Sequence, residues 1–255
     1  MTLRWPAEAI REAIVEGLPG FTIEVLPHVD STNTELMRRA RAGRIEPVLL
    51  VAETQSVGRG RMGRDWHSGT AANPGASLTF SLGLPLQMAD WSGLSLAVGV
   101  SVVQSLHPDL QLKWPNDVWL QDRKLAGILI ESTSVGAARY AVIGVGINLA
   151  PRLASGLATA PAWLQELLPG IDAPQTLQRL AAPLVRAVKL FEAQGLAPFS
   201  KAFKVRDALA GRSVGLSDGT TGQAGGVDAH GALLVHTSAG LKKISSSEVS
   251  VRPAN

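Results

Sequence analysis

Cysteine is absent from the 255-residue chain, which removes disulfides, thiolate metal sites and cysteine nucleophiles together. Histidine is scarce: His28, His67, His107, His230 and His236 stand apart, without the spacing that zinc ligation requires. No apolar run reaches membrane-spanning length, and the first residues lack a basic segment followed by an apolar one, so a cytoplasmic protein is expected. Excess charge is missing too. The 24 basic residues against 21 acidic ones leave a net +3, which does not by itself demand nucleic acid. What remains is a chain with 45% apolar residues, long enough for one large domain and a small appendage.

The stretch 53–66, ETQSVGRGRMGRDW, stands out. It follows the apolar run 48–52, so a buried strand delivers the chain to a loop with Gly58, Gly60 and Gly63 and with Arg59, Arg61 and Arg64. The glycines match G-x-G-x-x-G, but a dinucleotide loop must open a helix. Here the chain runs on through polar residues to Asn73, Pro74 and Gly75, where no apolar helical period can start. A mobile, backbone-exposed loop with three guanidinium groups is expected, and such forks pair with phosphates or carboxylates. A solvated basic loop and an arginine strip for nucleic acid are the alternatives.

Elsewhere the pattern is mixed. Helical periods are expected near 6–16, 91–107 and 177–191, with strands near 22–26, 76–82, 111–114, 117–120, 124–131 and 140–149. Thr32 and Glu35 have capping-box spacing ahead of Leu36, leaving Ser31 and Asn33 for a ligand. Sequence-adjacent strands among helices argue for an α+β fold. From Gly211 onward short strands at 213–216, 221–228, 232–237, 241–245 and 249–252 alternate with turns, which predicts a small β-barrel. The expected division is 1–208 and 209–255.

Lys124 follows a hairpin turn and starts an apolar strand, so its ammonium is placed either over a partly desolvated cleft or in solvent. Asn116 and Asp117 can serve a site or simply begin a turn. Trp66 and Trp114 can be core or stacking platforms. Taken in order, Ser31-Thr32-Asn33, the segment 53–61, Lys113-Trp114-Pro115-Asn116-Asp117, Lys124-Leu125-Ala126-Gly127 and Gly144-Val145-Gly146-Ile147-Asn148 resemble biotin protein ligases, motif by motif. That resemblance implies a class II synthetase-like mixed sheet with helices and an SH3-like C-terminal barrel. It also implies a reaction: biotin and ATP condense to biotinyl-5′-AMP, and biotin then passes to one lysine of a biotin carboxyl carrier protein domain.

The residue roles that follow are those of the resembled family. Ser31, Thr32, Asn33 and Gln55 would take the biotin head. Arg59, Gly60 and Arg61 would close over the adenylate, and Lys124 would sit at the carboxylate and α-phosphate. Gly127 and Gly146 would leave room for ligand. Asn116, Asp117, Asn148 and Arg252 would lie on the nucleotide side, Asp117 with magnesium (Mg2+), and Trp66 would pack on adenine. Glu248 and Arg252 would face the site from the barrel. Three departures stand out: Met62 where a basic residue is frequent, a longer 67–76 segment, and Ser77 where asparagine is frequent. Only thirty residues precede Ser31, too few for a winged helix-turn-helix, so no operator DNA binding is expected. The resemblance also allows a homodimer. A lipoate or octanoate ligase or transferase keeps the same fold, and a nucleic-acid-binding module is the rival of another class.

Overall fold

A computed structural model describes residues 3–68, 75–151, 160–245 and 251–253. The chain begins with helix α1 (Ala7–Val15), which buries Ile10 and Ile14. Strand β1 (Thr22–Val29), helix α2 (Thr32–Arg41) and strand β2 (Val48–Gln55) follow. Next come β3 (Ser77–Leu86), α3 (Leu94–Leu106), β4 (Gln111–Lys113), β5 (Asp117–Leu120), β6 (Arg123–Val135) and β7 (Ala138–Asn148). These seven strands form one sheet in the order β1-β2-β3-β7-β6-β5-β4. Only β1 and β2 run parallel, joined through α2 as a crossover; the remaining neighbours are antiparallel. The mixed α+β expectation therefore holds.

Helices cover both faces. On one side α1, α3 and α4 (Ala173–Gln194) share a large core with the sheet. On the other, Leu36, Met37 and Ala40 of α2 pack with Leu50, Tyr140 and Val142. The all-round apolar character of α3 has its reason here, since ten of its residues are buried. Gly99 permits the approach: a Cβ there would lie 2.8 Å from Leu112 Cδ2. The β5–β6 hairpin closes through Gln121 and Asp122, both with positive φ, the backbone of a tight two-residue turn.

Helix α5 (Ser200–Arg206) had no counterpart in the sequence reading, because its seven residues are too few to show a period. Beyond it, β8 (Ser213–Leu216), β9 (Thr221–Val227), β10 (Leu233–Thr237), β11 (Gly240–Ile244) and β12 (Val251–Pro253) make a second sheet, ordered β11-β10-β9-β8-β12. Among the described residues this sheet stays open, with β11 and β12 as unpaired edges, so the expected barrel does not close. Its apolar face merges with the large core through Val214, Leu233 and Val235. Trp114 joins the two sheets: it is wholly buried and its Nε1 donates to Gly231 O at 2.9 Å. Trp114 is therefore core, not a stacking platform.

Between the sheets sits Asp207, a carboxylate that burial pushes above its usual pKa while a bond from Leu209 N at 2.9 Å pulls the other way. A raised folded pKa means that its contribution to stability is fully present below the unfolded value, about 3.9, and is lost as pH rises through the folded value. Asp207→Asn keeps the acceptor oxygen and removes the charge. Thermal unfolding at pH 7–8 is expected to show a higher Tm for this variant, by roughly 2–4 °C per kcal/mol, with the difference vanishing near pH 4. An equal or lower Tm at pH 8 would contradict it.

Candidate functional site

The site begins with a gap in the sheet. Gly144 and Gly146 lie two apart on β7, so both point to one face, and β3 places Ser81 opposite Gly144 while β6 places Gly127 opposite Gly146. A Cβ at Gly144 would fall 2.2 Å from Asn33 Oδ1, and one at Gly146 would fall 2.4 Å from Trp66 Cε2. The missing side chains thus admit Asn33 from α2 and Trp66 from the arginine loop. The cleft between them spans about 470 Å³, open to solvent on one side, and is lined by Ser31, Thr32, Asn33, Gln55, Arg59, Gly60, Arg61, Trp66, Asn116, Lys124, Gly127 and Gly146, among others. Twelve sequence-nominated positions come together there.

One end of this cavity is a polar floor. The parallel register sets Val29 beside Gln55, so the N-terminus of α2 abuts the end of β2. Ser31, not Thr32, is the N-cap, its hydroxyl accepting from Thr34 N at 3.5 Å. The capping box expected for Thr32 and Glu35 does not form: Glu35 instead pairs with Arg38 and Arg39. Thr32 turns inward, its N and Oγ1 donating to Gln55 Oε1 at 2.8 and 3.1 Å. Ser81 Oγ lies 2.6 Å from Asn33 Oδ1 and 2.7 Å from Thr32 Oγ1, so one proton serves two acceptors. Asn33 Nδ2 donates to Leu129 O at 3.2 Å and to Glu131 Oε2 at 2.8 Å. All four of Ser31, Thr32, Asn33 and Ser81 are buried.

The other end is cationic. The arginine loop is folded on itself rather than open: Gly60 N bonds Arg64 O at 2.7 Å and Trp66 N bonds Gly58 O at 2.8 Å. Met62 and Gly63 take positive φ at its tip. Gly58 is required for this closure, because a Cβ would lie 2.3 Å from Trp66 O. Arg61 reaches Asn116 Oδ1 at 3.3 Å, and burial pushes its pKa down while Asp117 pulls it up. Lys124 Nζ pairs with Asp117 Oδ1 at 2.8 Å and lies 5.9 Å from the Trp66 ring. An adjoining cavity is walled by Arg61, Arg64, Lys113, Asp117, Lys124 and Val251 of β12.

Lys113, for which the sequence suggests no role, walls the same cavity. Burial pushes its pKa down, and the charges of Lys124, Arg64 and Arg252 push the same way against Asp117. So many cations around one cleft oppose one another, and a polyanion would relieve that repulsion. Val251 of β12 walls the adjoining cavity, so β12 lies beside the cleft; Glu248 lies outside the described residues. The 67–76 segment is described only at its ends, and its Ser68 holds Gln55 N through Oγ at 2.8 Å.

Three nominated residues do other work. Asn148 does not line the cavity: it is buried, and its Nδ2 donates to Ala162 O at 3.1 Å and Lys124 O at 3.4 Å, steadying the backbone of Lys124. Gly146 makes room for the Trp66 indole, and Gly127 for the Lys124 ammonium, 3.2 Å from a Cβ placed there. Gly144 stands in one of the resembling motifs without a role of its own, and nothing local in the sequence marks Ser81 or Glu131. Only the strand register brings these to Asn33. Among the described residues no three His, Cys, Asp or Glu side chains converge on a metal position.

A sheet that carries a hydrogen-bonding floor at one end of a cavity and a cluster of cations at the other defines an α+β protein built to hold a small polar ligand against a polyanion. The profile of the Biotin/lipoate A/B protein ligase family matches residues 25–148, and that of the Biotin protein ligase C terminal domain matches 211–252. The bifunctional ligase/repressor BirA of Escherichia coli is 38% identical over 254 residues, covering 94% of this chain and 77% of that protein. The biotin–[acetyl-CoA-carboxylase] ligase of Paracoccus denitrificans is 33% identical, covering 88% and 98%. The fold superposes on a biotin protein ligase from Aquifex aeolicus in complex with biotin and ATP with a TM-score of 0.76, at 28% identity, covering 91% of this chain and 99% of that one. The chain belongs to the biotin protein ligase family.

Gly144→Ala tests the floor. The added methyl meets a buried amide rather than a flexible tip, so Asn33 must move; the expected result is a rise of roughly tenfold or more in the KM of the small acid substrate, from the ~1–3 kcal/mol typical of such overpacking. An unchanged KM in steady-state assays would refute this placement of Asn33.

Proposed function

We propose that this protein is an ATP-dependent biotin protein ligase, which activates biotin as biotinyl-5′-AMP and transfers it to a lysine of a biotin carboxyl carrier protein domain. The observation that carries this reading is the single cavity that joins the Thr32, Asn33 and Gln55 floor to the Arg61 and Lys124 cations. A ureido ring has two N–H donors and one carbonyl acceptor, and the floor answers with acceptors and donors that a plain alkyl chain would leave unmatched. That mismatch sets the lipoate and octanoate reading second.

The chemistry needs no general base for its first step. A carboxylate is ionised at neutral pH, and one of its oxygens attacks the α-phosphorus of ATP while the bond to the pyrophosphate oxygen breaks. The obstacle is repulsion between two anions. Lys124 and Arg61, with Lys113, Arg64 and Arg252 near them, screen that repulsion, and the half-buried setting strengthens each contact. The Trp66 face offers adenine a stacking surface. In the second step the neutral amine of the carrier lysine attacks the acyl carbon, releasing AMP and a proton. Asp65 and Asp117 are carboxylates at the nucleotide side. They suit Mg2+, an ion held largely by substrate phosphates and water, which supplies further charge neutralisation when bound. In this reading the catalytic part is 1–208 and the C-terminal part is 209–255, which brings Arg252 to the nucleotide. The partner is the carrier domain, and the protein works in the cytoplasm. Among the described residues no helix is long and apolar enough to cross a membrane.

Mass spectrometry of a carrier domain incubated with the protein, biotin, ATP and magnesium is expected to show one biotin adduct; no adduct, together with no adenylate, would sink the proposal. Lys124→Ala is expected to reduce pyrophosphate release by roughly 10²–10³-fold, the scale of losing one preorganised charge at a reacting centre. Arg61→Gly is expected instead to let the adenylate escape and label bystander lysines, which blotting for biotin on an added inert protein would reveal.

A further inference from the structure

The Asn33 amide has a fixed orientation, and Glu131 on β6 is what fixes it. With Nδ2 donating to Leu129 O and to the Glu131 carboxylate, Oδ1 must face Ser81 and the gap at Gly144. The same carboxylate receives Arg59 Nη2, 3.1 Å from both oxygens. Glu131 thus ends an unbroken chain of contacts that starts at Gln55, passes through Thr32, Ser81 and Asn33, and finishes on the arginine loop. Nothing in the chemistry of adenylation calls for a carboxylate here. An extra anion near the reacting centre would work against the cations, unless its charge is spent on Arg59 and its lone pairs on Asn33.

We propose that Glu131 is a positioning residue that couples recognition of the small acid's polar head to the placement of Arg59 at the mouth of the cavity. Oε2 accepts from Asn33 while both oxygens face Arg59 Nη2; a glutamine can keep one acceptor oxygen, but its N–H₂ would then stand 3.1 Å from Arg59 Nη2 in place of the other, and the charge that holds the guanidinium would be gone. With Glu131 in place, Asn33 presents an acceptor to the cavity and the loop is tethered to the same strand. Without it, the amide is free to rotate and Arg59 swings into solvent, since its side chain is 42% exposed even when paired. Head recognition and loop closure then lose their common anchor. This inference rests on the proposed ligase activity.

Glu131→Gln, Glu131→Asp and the wild-type protein are to be compared with biotin, ATP and magnesium, following biotin KM, ATP KM, the lifetime of the bound adenylate and the unfolding temperature. The expected result for Glu131→Gln is a biotin KM raised roughly tenfold, the scale of one charge-assisted bond. The adenylate should be lost faster, while ATP KM stays within about twofold and the unfolding temperature does not fall. Glu131→Asp, which keeps the charge, is expected to recover part of the biotin KM. Biotin KM and adenylate lifetime matching the wild type in Glu131→Gln would overturn the inference. So would biotin and ATP KM rising together with a lower unfolding temperature, which marks a structural role. A wild-type protein that forms no adenylate in the same assay would overturn the ligase reading itself, a separate outcome.

Discussion

Two missing side chains in the middle of a sheet organise this molecule. Gly144 and Gly146 leave gaps on one face of β7, and a helix N-terminus fills one while an indole fills the other. The close approach is permitted because the neighbouring strands are locked on both sides, by ten paired positions with β3 and ten with β6. A rigid sheet with two fixed depressions is what lets soft elements, a loop and a helix end, meet with defined geometry.

Electrostatics then separates the cavity's ends. At the floor, Gln55, Thr32, Ser81 and Asn33 satisfy one another and the Glu131 carboxylate, so the buried polar groups incur little desolvation cost. At the other end, Arg61, Arg64, Lys113, Lys124 and Arg252 are opposed by Asp65 and Asp117, an imbalance that a polyphosphate would relieve. Lys124 and Asp117 hold each other at 2.8 Å, which orients the ammonium over Gly127. The charges are stored in position rather than assembled during binding, the condition under which they stabilise a reacting centre most.

The second sheet is not an ornament to this arrangement. Its apolar face joins the main core, Trp114 bonds Gly231, and Arg212 pairs with Asp122 at the turn that leads into Lys124. The strand that carries Val251 and Arg252 therefore reaches the cationic cleft from outside the main sheet. The Lys124 backbone is braced from the opposite direction by Asn148 and by Ala162 N, which donates to Lys124 O at 2.9 Å.

The residues of local motifs were readable in the chain itself. The arginines among glycines, Ser31 to Asn33, Lys124 after its turn, and the helix and strand periods depend on neighbours within a few positions, which is where propensity and patterning act. The order of five motifs carried the family resemblance. What the chain could not announce was long-range register. Only the fold decided that Ser31 rather than Thr32 caps α2, because the parallel pairing of β1 with β2 turns Thr32 toward Gln55. Only the fold set Asn148 against the backbone of Lys124, left the C-terminal sheet open among the described residues, and brought Gly144, Ser81 and Glu131 to Asn33. Those contacts join residues 48 to 111 positions apart, or lie across strands whose pairing is set by the buried face of the whole sheet, and no local pattern encodes them.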